Sequence, residues 1–452
     1  MSTKLADEFF YHIYPLGLCG APHQNSDSLP VVNRLEKAHA WLEHAAHIGA
    51  TAVLLGPVFE SGSHGYDTWD LCNADKRLGG NTALKALSEK ARELRLKLYF
   101  DGVFHHVGRG HVAFRDVLEK SHASRYNGWF ITDYSKTSPY GDHFTYESWN
   151  GCFDLVKLNM KNLSVREHLL GCVKSWIEDY GISGLRLDAA DHLDTDFIRE
   201  LGSFVRGMNP DFQLIGEIVK GPYTGLLESA GLDAVTNYEL YKGLYSCLND
   251  ANFFELAYTL RRHFGPDGIY RPEQMYTFID NHDVSRAVSV LTDETHLYPL
   301  YCLLFTVPGV PSVYYGSEYG VKGEKDQHSD WPLRPELDLH RLRTGTDHPA
   351  LSSAIVKLAQ IHRTHPALQH GSYEEVYLKH RQFAFMRKTE SEKLIVAVNS
   401  HSELTDITLS LLGRPNGTLR DLLEPSKTFP MKNGKAKITL YPNWCRILSV
   451  HS

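Results

Sequence analysis

No run of about 18 apolar residues occurs in the chain, so no membrane-spanning helix is expected. Basic residues are not in excess. There are 47 Lys and Arg against 54 Asp and Glu, a net charge of -7, and a chain so balanced has no surplus to neutralise nucleic-acid phosphates. Cysteine is sparse. The seven residues (19, 72, 152, 172, 247, 302 and 445) are scattered without a C-x-x-C pair, which predicts buried free thiols in a reducing compartment and argues against a zinc site. The amino terminus lacks a basic segment followed by a long apolar run; Met1 to Glu8 leads directly into Phe9-Phe-Tyr-His-Ile-Tyr-Pro15. No secretory signal is therefore expected, and the predicted location is cytoplasmic. What is present is ordinary for a globular protein, with 42% hydrophobic and 22% charged residues over 452 positions. That length implies two or three domains. The aromatic share of 11% suits a sugar binder and a large core equally.

Strand-like and helix-like stretches alternate over roughly the first 370 residues, which predicts an α/β fold with a parallel (β/α)8 barrel. Phe9–Tyr14 and Ala52–Phe59 read as the first two strands. Leu98–Asp101, Gly184–Asp188, Gln213–Glu217, Asp233–Asn237, Met275–Asp280 and Val313–Gly316 read as the remaining six. Between them, Leu35, Ala38, Leu42 and Ala45 share one helical face, as do Leu84, Leu87, Ala91 and Leu94. Phe197–Val205 reads as another helix. Ser164-Val-Arg-Glu167 has the pattern of a capping box. From Val107 to Asn159 no period is sustained, and an irregular insertion of that length in a compact protein is usually functional. Beyond Pro366, short strand-like runs between turn residues predict a separate antiparallel β domain. The expected division is a barrel over 1–106 and 160–370, an insertion over 107–159 and a C-terminal β-sandwich over 371–452.

Four of the predicted strands end in ionisable residues: Asp101 with His105 and His106, Arg186 with Asp188, Glu217, and Asn281-His282-Asp283. A barrel would converge them on the face where such folds carry their active sites. An Asp closing a strand can instead be the N-cap of the next helix, and that reading of Asp188 stays open at this point. Taken together, Asp101-Gly-Val-Phe-His-His106, Gly184-Leu-Arg-Leu-Asp188, Glu217 and Phe278-Ile-Asp-Asn-His-Asp283 resemble the motifs of the α-amylase family of glycoside hydrolases. One position departs, with His105 where the family has Asn. Phe153-Asp-Leu-Val-Lys-Leu-Asn159 is similar to a stretch of the neopullulanase and cyclomaltodextrinase branch, with Leu155-Val156 departing from its usual Met-Pro.

The resemblance implies a retaining α-glucan hydrolase acting on α-1,4 bonds of maltodextrins or cyclodextrins. Its catalytic carboxyl groups would be Asp188, Glu217 and Asp283, and its sugar-binding residues Tyr66, Asp101, His106, Arg186, His192, His282, Asp330 and Arg334. The insertion corresponds to the family's domain B. Acetal hydrolysis needs one carboxylate at the anomeric carbon and one carboxylic acid for the leaving oxygen. Arg186 beside Asp188 predicts that Asp188 stays ionised, whereas burial without a neighbouring cation predicts a raised pKa for Glu217. A 4-α-glucanotransferase or α-glucosidase would use the same residues. A barrel that has lost catalysis would lack one of the three carboxyl groups, and none is missing. No cofactor is expected. In many secreted relatives the motif Asn binds calcium; His105 is a poor calcium ligand, so no metal is expected at that position. Asp133, Asp142 and Asp154 remain as possible oxygen donors elsewhere in the insertion. No nucleic-acid or membrane partner is expected, and the oligomeric state is left open.

Overall fold

The structure, a computed structural model, describes residues 5–221, 223–411 and 416–451. Eight parallel strands close into a barrel in chain order: β1 (Phe10–Ile13), β2 (Ala52–Leu55), β3 (Lys97–Gly102), β4 (Gly184–Leu187), β5 (Gln213–Gly216), β6 (Ala234–Thr236), β7 (Met275–Phe278) and β8 (Val310–Tyr314). Strand β8 pairs with β1 and completes the ring. Both faces of these strands are covered, which is why they read as continuous apolar runs rather than as alternating ones. One set of side chains, including Phe10, Tyr99, Ile215, Tyr276 and Phe278, forms a cluster of its own within the barrel. Phe10 meets the rings of Tyr99 and Tyr276 edge-on at 4.8 and 5.2 Å, a favoured aromatic geometry that plugs the lumen.

Helices Glu36–His47, Gly80–Glu93, Leu163–Tyr180 and Thr195–Met208 lie where apolar spacing predicts them. The capping box expected at Ser164 does not form. Asn162, extended at φ -85° and ψ 117°, caps that helix by accepting from the Ser164 N–H at 3.0 Å, because an earlier residue with the right side chain starts the helix two residues sooner. Strand β8 begins at Val310 rather than Val313. Its first residues follow Gly309 (φ 135°), where a Cβ would lie 2.1 Å from Thr277 Oγ1, and include Pro311, so glycine and proline read as a turn where the chain is already in the sheet.

The insertion is more regular than its sequence suggests. His106–Gly108, Ser148–Trp149 and Cys152–Lys157 form a three-stranded antiparallel sheet, and Val112–Lys120 is a helix. Phe114 of that helix packs edge-on against Phe130 and Tyr146 at 5.0 and 4.8 Å. The three acidic residues do not converge: Asp142 pairs with Arg109 at 2.8 Å, Asp133 with Lys136 at 3.1 Å, and Asp154 accepts from Tyr140 at 2.5 Å. From Ser372 to His451 eight antiparallel strands form one sheet, enclosing a second core that includes Ile395, Ile407, Leu409, Ile438 and Leu448.

The cysteine expectation needs correcting. Cys72 pairs with Cys172 and Cys302 with Cys445 as disulfides, with Cα separations of 5.2 and 6.6 Å. Cys19 and Cys247 are the buried free thiols, and Cys152 is free and exposed. The pairs are 100 and 143 residues apart, so local spacing carries no trace of them.

Candidate active site

The carboxyl ends of β2, β3, β4, β5 and β7 converge on a cleft of about 540 Å³. Its wall includes His64, Tyr66, His106, Trp149, Asp188, Glu217, Tyr238, Asp283, Lys325, Asp330 and Arg334. Three strand ends reach it in adjacent register: Arg186 lies beside Asp101 on β3 and beside Ile215 on β5. That register places one guanidinium among three carboxylates. Arg186, 4% exposed, holds Asp101 at 2.7 and 2.8 Å through Nη1, Asp188 Oδ1 at 3.1 Å through Nη1, and Glu217 Oε1 at 2.6 Å through Nη2.

Asp188 is not an N-cap. The next helix is capped by Asp194, which accepts from the Asp196 and Phe197 N–H groups at 3.0 and 3.2 Å. Directly after Asp188 the backbone turns into the left-handed region at Ala189 (φ 46°, ψ 47°), a conformation that costs about 1 kcal/mol or more for a residue with a Cβ. The turn aims the Ala189 N–H at Glu217 Oε2, 3.1 Å away, so backbone strain next to one carboxyl group orients the other. Tyr238 Oη donates to Glu217 Oε1 at 3.4 Å and accepts from Asn281 Nδ2 at 3.2 Å.

Asp283 is held from the opposite side. Arg334 Nη2 lies 2.9 Å from its Oδ1, and His282 Nε2 lies 3.0 Å from its Oδ2. Arg334 also donates to the His282 carbonyl at 3.0 Å and reaches Asp330 Oδ2 at 3.2 Å. Tyr66 Oη donates to Asp101 Oδ2 at 2.9 Å and contacts His282 Nε2, with the two rings stacked at 5.5 Å.

These contacts set the charges. Burial raises the Asp283 carboxyl, but His282, Arg334 and Arg186 outweigh it and hold the group well below the usual carboxylate range. Asp188 goes the other way: burial and the Glu217 carboxylate push it well up, outweighing Arg186. Arg186 lowers the Asp188 carboxyl, as expected, but does not outweigh burial and Glu217. The guanidinium is shared with Asp101 and Glu217, so Asp188 receives only part of its field, and Glu217 has the adjacent cation that its local sequence does not show. Burial and His105 lower His106 to about 3, leaving a neutral imidazole whose Nε2 has no partner among the described residues.

The predicted residues are not all equivalent in place. Asp188, Glu217, Asp283, Tyr66, His106, Asp330 and Arg334 line the cleft. Asp101, Arg186 and His282 stand behind them as buried partners. His192 does not line the cleft; its side chain is 46% exposed beside Asp191, and its ring lies 5.9 Å from that of His105. Trp149, Tyr238 and Lys325 line the cleft without having been singled out in the sequence. Lys325 Nζ donates to the Asp283 carbonyl at 2.7 Å. Its place directly after the sixth strand is the one signal in the sequence by which Tyr238 could have been found.

The alpha-amylase catalytic domain family matches residues 39–360, a span that holds all four strand-end motifs. Among curated proteins, the chain is 28% identical over 372 residues to a cyclomaltodextrinase of a Bacillus species, covering 79% of this chain and 64% of that one. It is 29% identical over 411 residues to neopullulanase 2 of Thermoactinomyces vulgaris, covering 89% and 68%. The chain thus spans about two thirds of the length of these relatives. Among solved structures, the ligand-free cyclic α-maltosyl-(1→6)-maltose hydrolase of Arthrobacter globiformis superposes with a TM-score of 0.82 at 26% identity, over 98% of this chain and 99% of that one. With the barrel, the convergent carboxyl groups and this match in hand, the chain belongs to the α-amylase family of glycoside hydrolases.

Proposed function

We propose that the protein is a retaining α-glucan hydrolase that cleaves α-1,4-glucosidic bonds in short or cyclic maltodextrins. The observation that carries this reading is the Arg186 hub, which contacts Asp101, Asp188 and Glu217 beneath the floor of one cleft. Asp188 attacks the anomeric carbon as the glycosidic C–O bond breaks, and Glu217 gives its proton to the leaving oxygen. Glu217 then takes a proton from water as that water attacks the same carbon and frees Asp188. Attack requires Asp188 to be ionised and Glu217 to carry the proton for the leaving oxygen. Arg186 supports this by stabilising the ionised nucleophile, and Asp283, fixed by His282 and Arg334, holds sugar hydroxyls as the ring distorts.

The remaining contacts follow from shape and free donors. Tyr66 supplies a ring for the sugar face, while His106 Nε2 and Trp149 Nε1, neither with a partner among the described residues, would each be satisfied by a hydroxyl. Asp330 and Arg334 mark the non-reducing side; His192 receives no contact at the cleaved bond. Preference for small or cyclic glucans is supported by the cyclic substrate for which the Arthrobacter relative is named, a protein whose length this chain matches almost fully. A cytoplasmic setting is part of the same proposal, and there the two cysteine pairs would be held as thiols. That setting is supported by a 28% identical relative described as an intracellular maltogenic amylase of Bacillus subtilis. Incubation with maltoheptaose, β-cyclodextrin and insoluble starch, with products resolved over time, tests the reading. Faster cleavage of the first two is expected, and transfer products longer than the substrate would favour a glucanotransferase instead.

A further inference from the structure

Behind Tyr66 the chain forms a strand, Thr68–Ala74, that packs on helix Leu163–Tyr180. Trp176 Nε1 donates to the Leu71 carbonyl at 2.9 Å, which fixes the strand against the helix. At this junction Cys72, exposed, faces Cys172, buried, and His168 stands one helical turn before Cys172 on the same face. His168 Nε2 lies 3.9 Å from Cys172 Sγ. That sulfur is its only hydrogen-bonding neighbour among the described residues.

We propose that, when Cys72 and Cys172 are reduced, these two sulfurs and His168 Nε2 form a binding site for a thiophilic divalent ion of the zinc class. The three ligand atoms all lie within 4.8 Å of one another. Zinc–sulfur bonds of about 2.3 Å and zinc–nitrogen bonds of about 2.1 Å set tetrahedral ligand atoms roughly 3.5 to 3.8 Å apart. Small side-chain rotations therefore suffice. Two ligands one turn apart on a rigid helix, with a third from a fixed strand, make a chelate that is largely preformed. Asp70 Oδ1 accepts from the Cys72 N–H at 2.7 Å and orients the exposed ligand, and water completes the fourth position. The redox balance is explicit. A dithiol or phosphine supplies two electrons, two protons are taken up, the S–S bond breaks and two thiols form; ion binding then releases those protons. The disulfide and the metal are thus alternative staples between the same strand and helix, and this site does not depend on the glucan-hydrolase reading.

The test uses the full chain reduced with tris(2-carboxyethyl)phosphine, desalted without oxygen and titrated with Co(II), then with Zn(II). One equivalent of cobalt should bind with sulfur-to-cobalt charge-transfer absorption, be displaced by zinc, and fail to bind the oxidised protein. Cys72→Ser, at an exposed position, and His168→Gln should each weaken binding by at least about tenfold, with circular dichroism verifying the fold. Absence of the charge-transfer band, equal binding by Cys72→Ser, or a Cys72–Cys172 pair that resists reduction in the folded protein would each overturn the proposal.

Discussion

Replacing Arg186 with methionine removes the cation common to Asp101, Asp188 and Glu217 while keeping much of the side-chain volume. Arg186 has four carboxylate contacts between 2.6 and 3.1 Å and is 4% exposed. Removing one member of a buried ion pair typically costs about 3 to 5 kcal/mol, because the other charge is left without compensation. Here three carboxylates lose their partner, so a loss near the upper end, about 4 to 5 kcal/mol, is expected. That is a large share of the roughly 5 to 15 kcal/mol by which domains are stable. The sign with pH follows from the same charges. Without the cation, Asp188, already held above its ordinary range by burial and Glu217, loses the one group that lowers it, so the fold favours its protonated form more strongly. The penalty is then small near about pH 4 and grows as pH rises through the folded-state values. Urea midpoints for wild type and Arg186→Met at about pH 4.5 and pH 7.5 measure this directly. A gap under about 1 kcal/mol at neutral pH, or one unchanged between the two conditions, would refute the hub. Arg186→Lys should recover part of the stability but little activity, since one ammonium cannot span three carboxylates.

Asp188→Asn and Glu217→Gln should each lose several orders of magnitude in kcat on a maltodextrin, and retention of more than about a tenth would exclude the assigned role. Asp188→Asn should also raise the denaturation midpoint relative to wild type. Asp188 is pushed up in the fold, so its contribution is full at low pH and is lost as pH rises through the folded-state value; the advantage of Asn should grow from acid to neutral pH. Trp149→Ala should raise KM more than it lowers kcat, as expected for a group that binds sugar without taking part in bond cleavage. Exhaustive EGTA treatment should leave activity unchanged. The His105 carbonyl accepts from the Leu158 N–H at 3.0 Å, so the insertion is tied to the barrel at this position by protein atoms; a loss restored by calcium alone would count against this.

Much of the barrel was legible because its strands are buried on both faces and end in charged residues, a pattern that survives without neighbours. Asp101, Asp188, Glu217 and Asp283 could be found one strand at a time. Their electrostatics could not, because Glu217 meets Arg186 only through the register that aligns Leu187 with Gly216. The two residues are 31 positions apart in sequence, and only the sheet brings their side chains to 2.6 Å. The same cause hid the Cys72–Cys172 pair and its His168 neighbour. In the insertion, the helix Val112–Lys120 escaped notice because it spans only nine residues, with Ala113, Phe114 and Val117 buried, too short for periodicity to stand out. At His192 the motif implies a sugar contact, while the turn after β4 leaves the side chain half-exposed outside the cleft lining.

The stereochemistry of the first product tests the central claim most directly. A covalent glucosyl-Asp188 intermediate formed and resolved on opposite faces of the anomeric carbon returns the original configuration. Proton NMR of a maltodextrin digest, recorded before mutarotation, should show the α-anomer first; an initial β-anomer would contradict attack by Asp188 and the division of roles with Glu217.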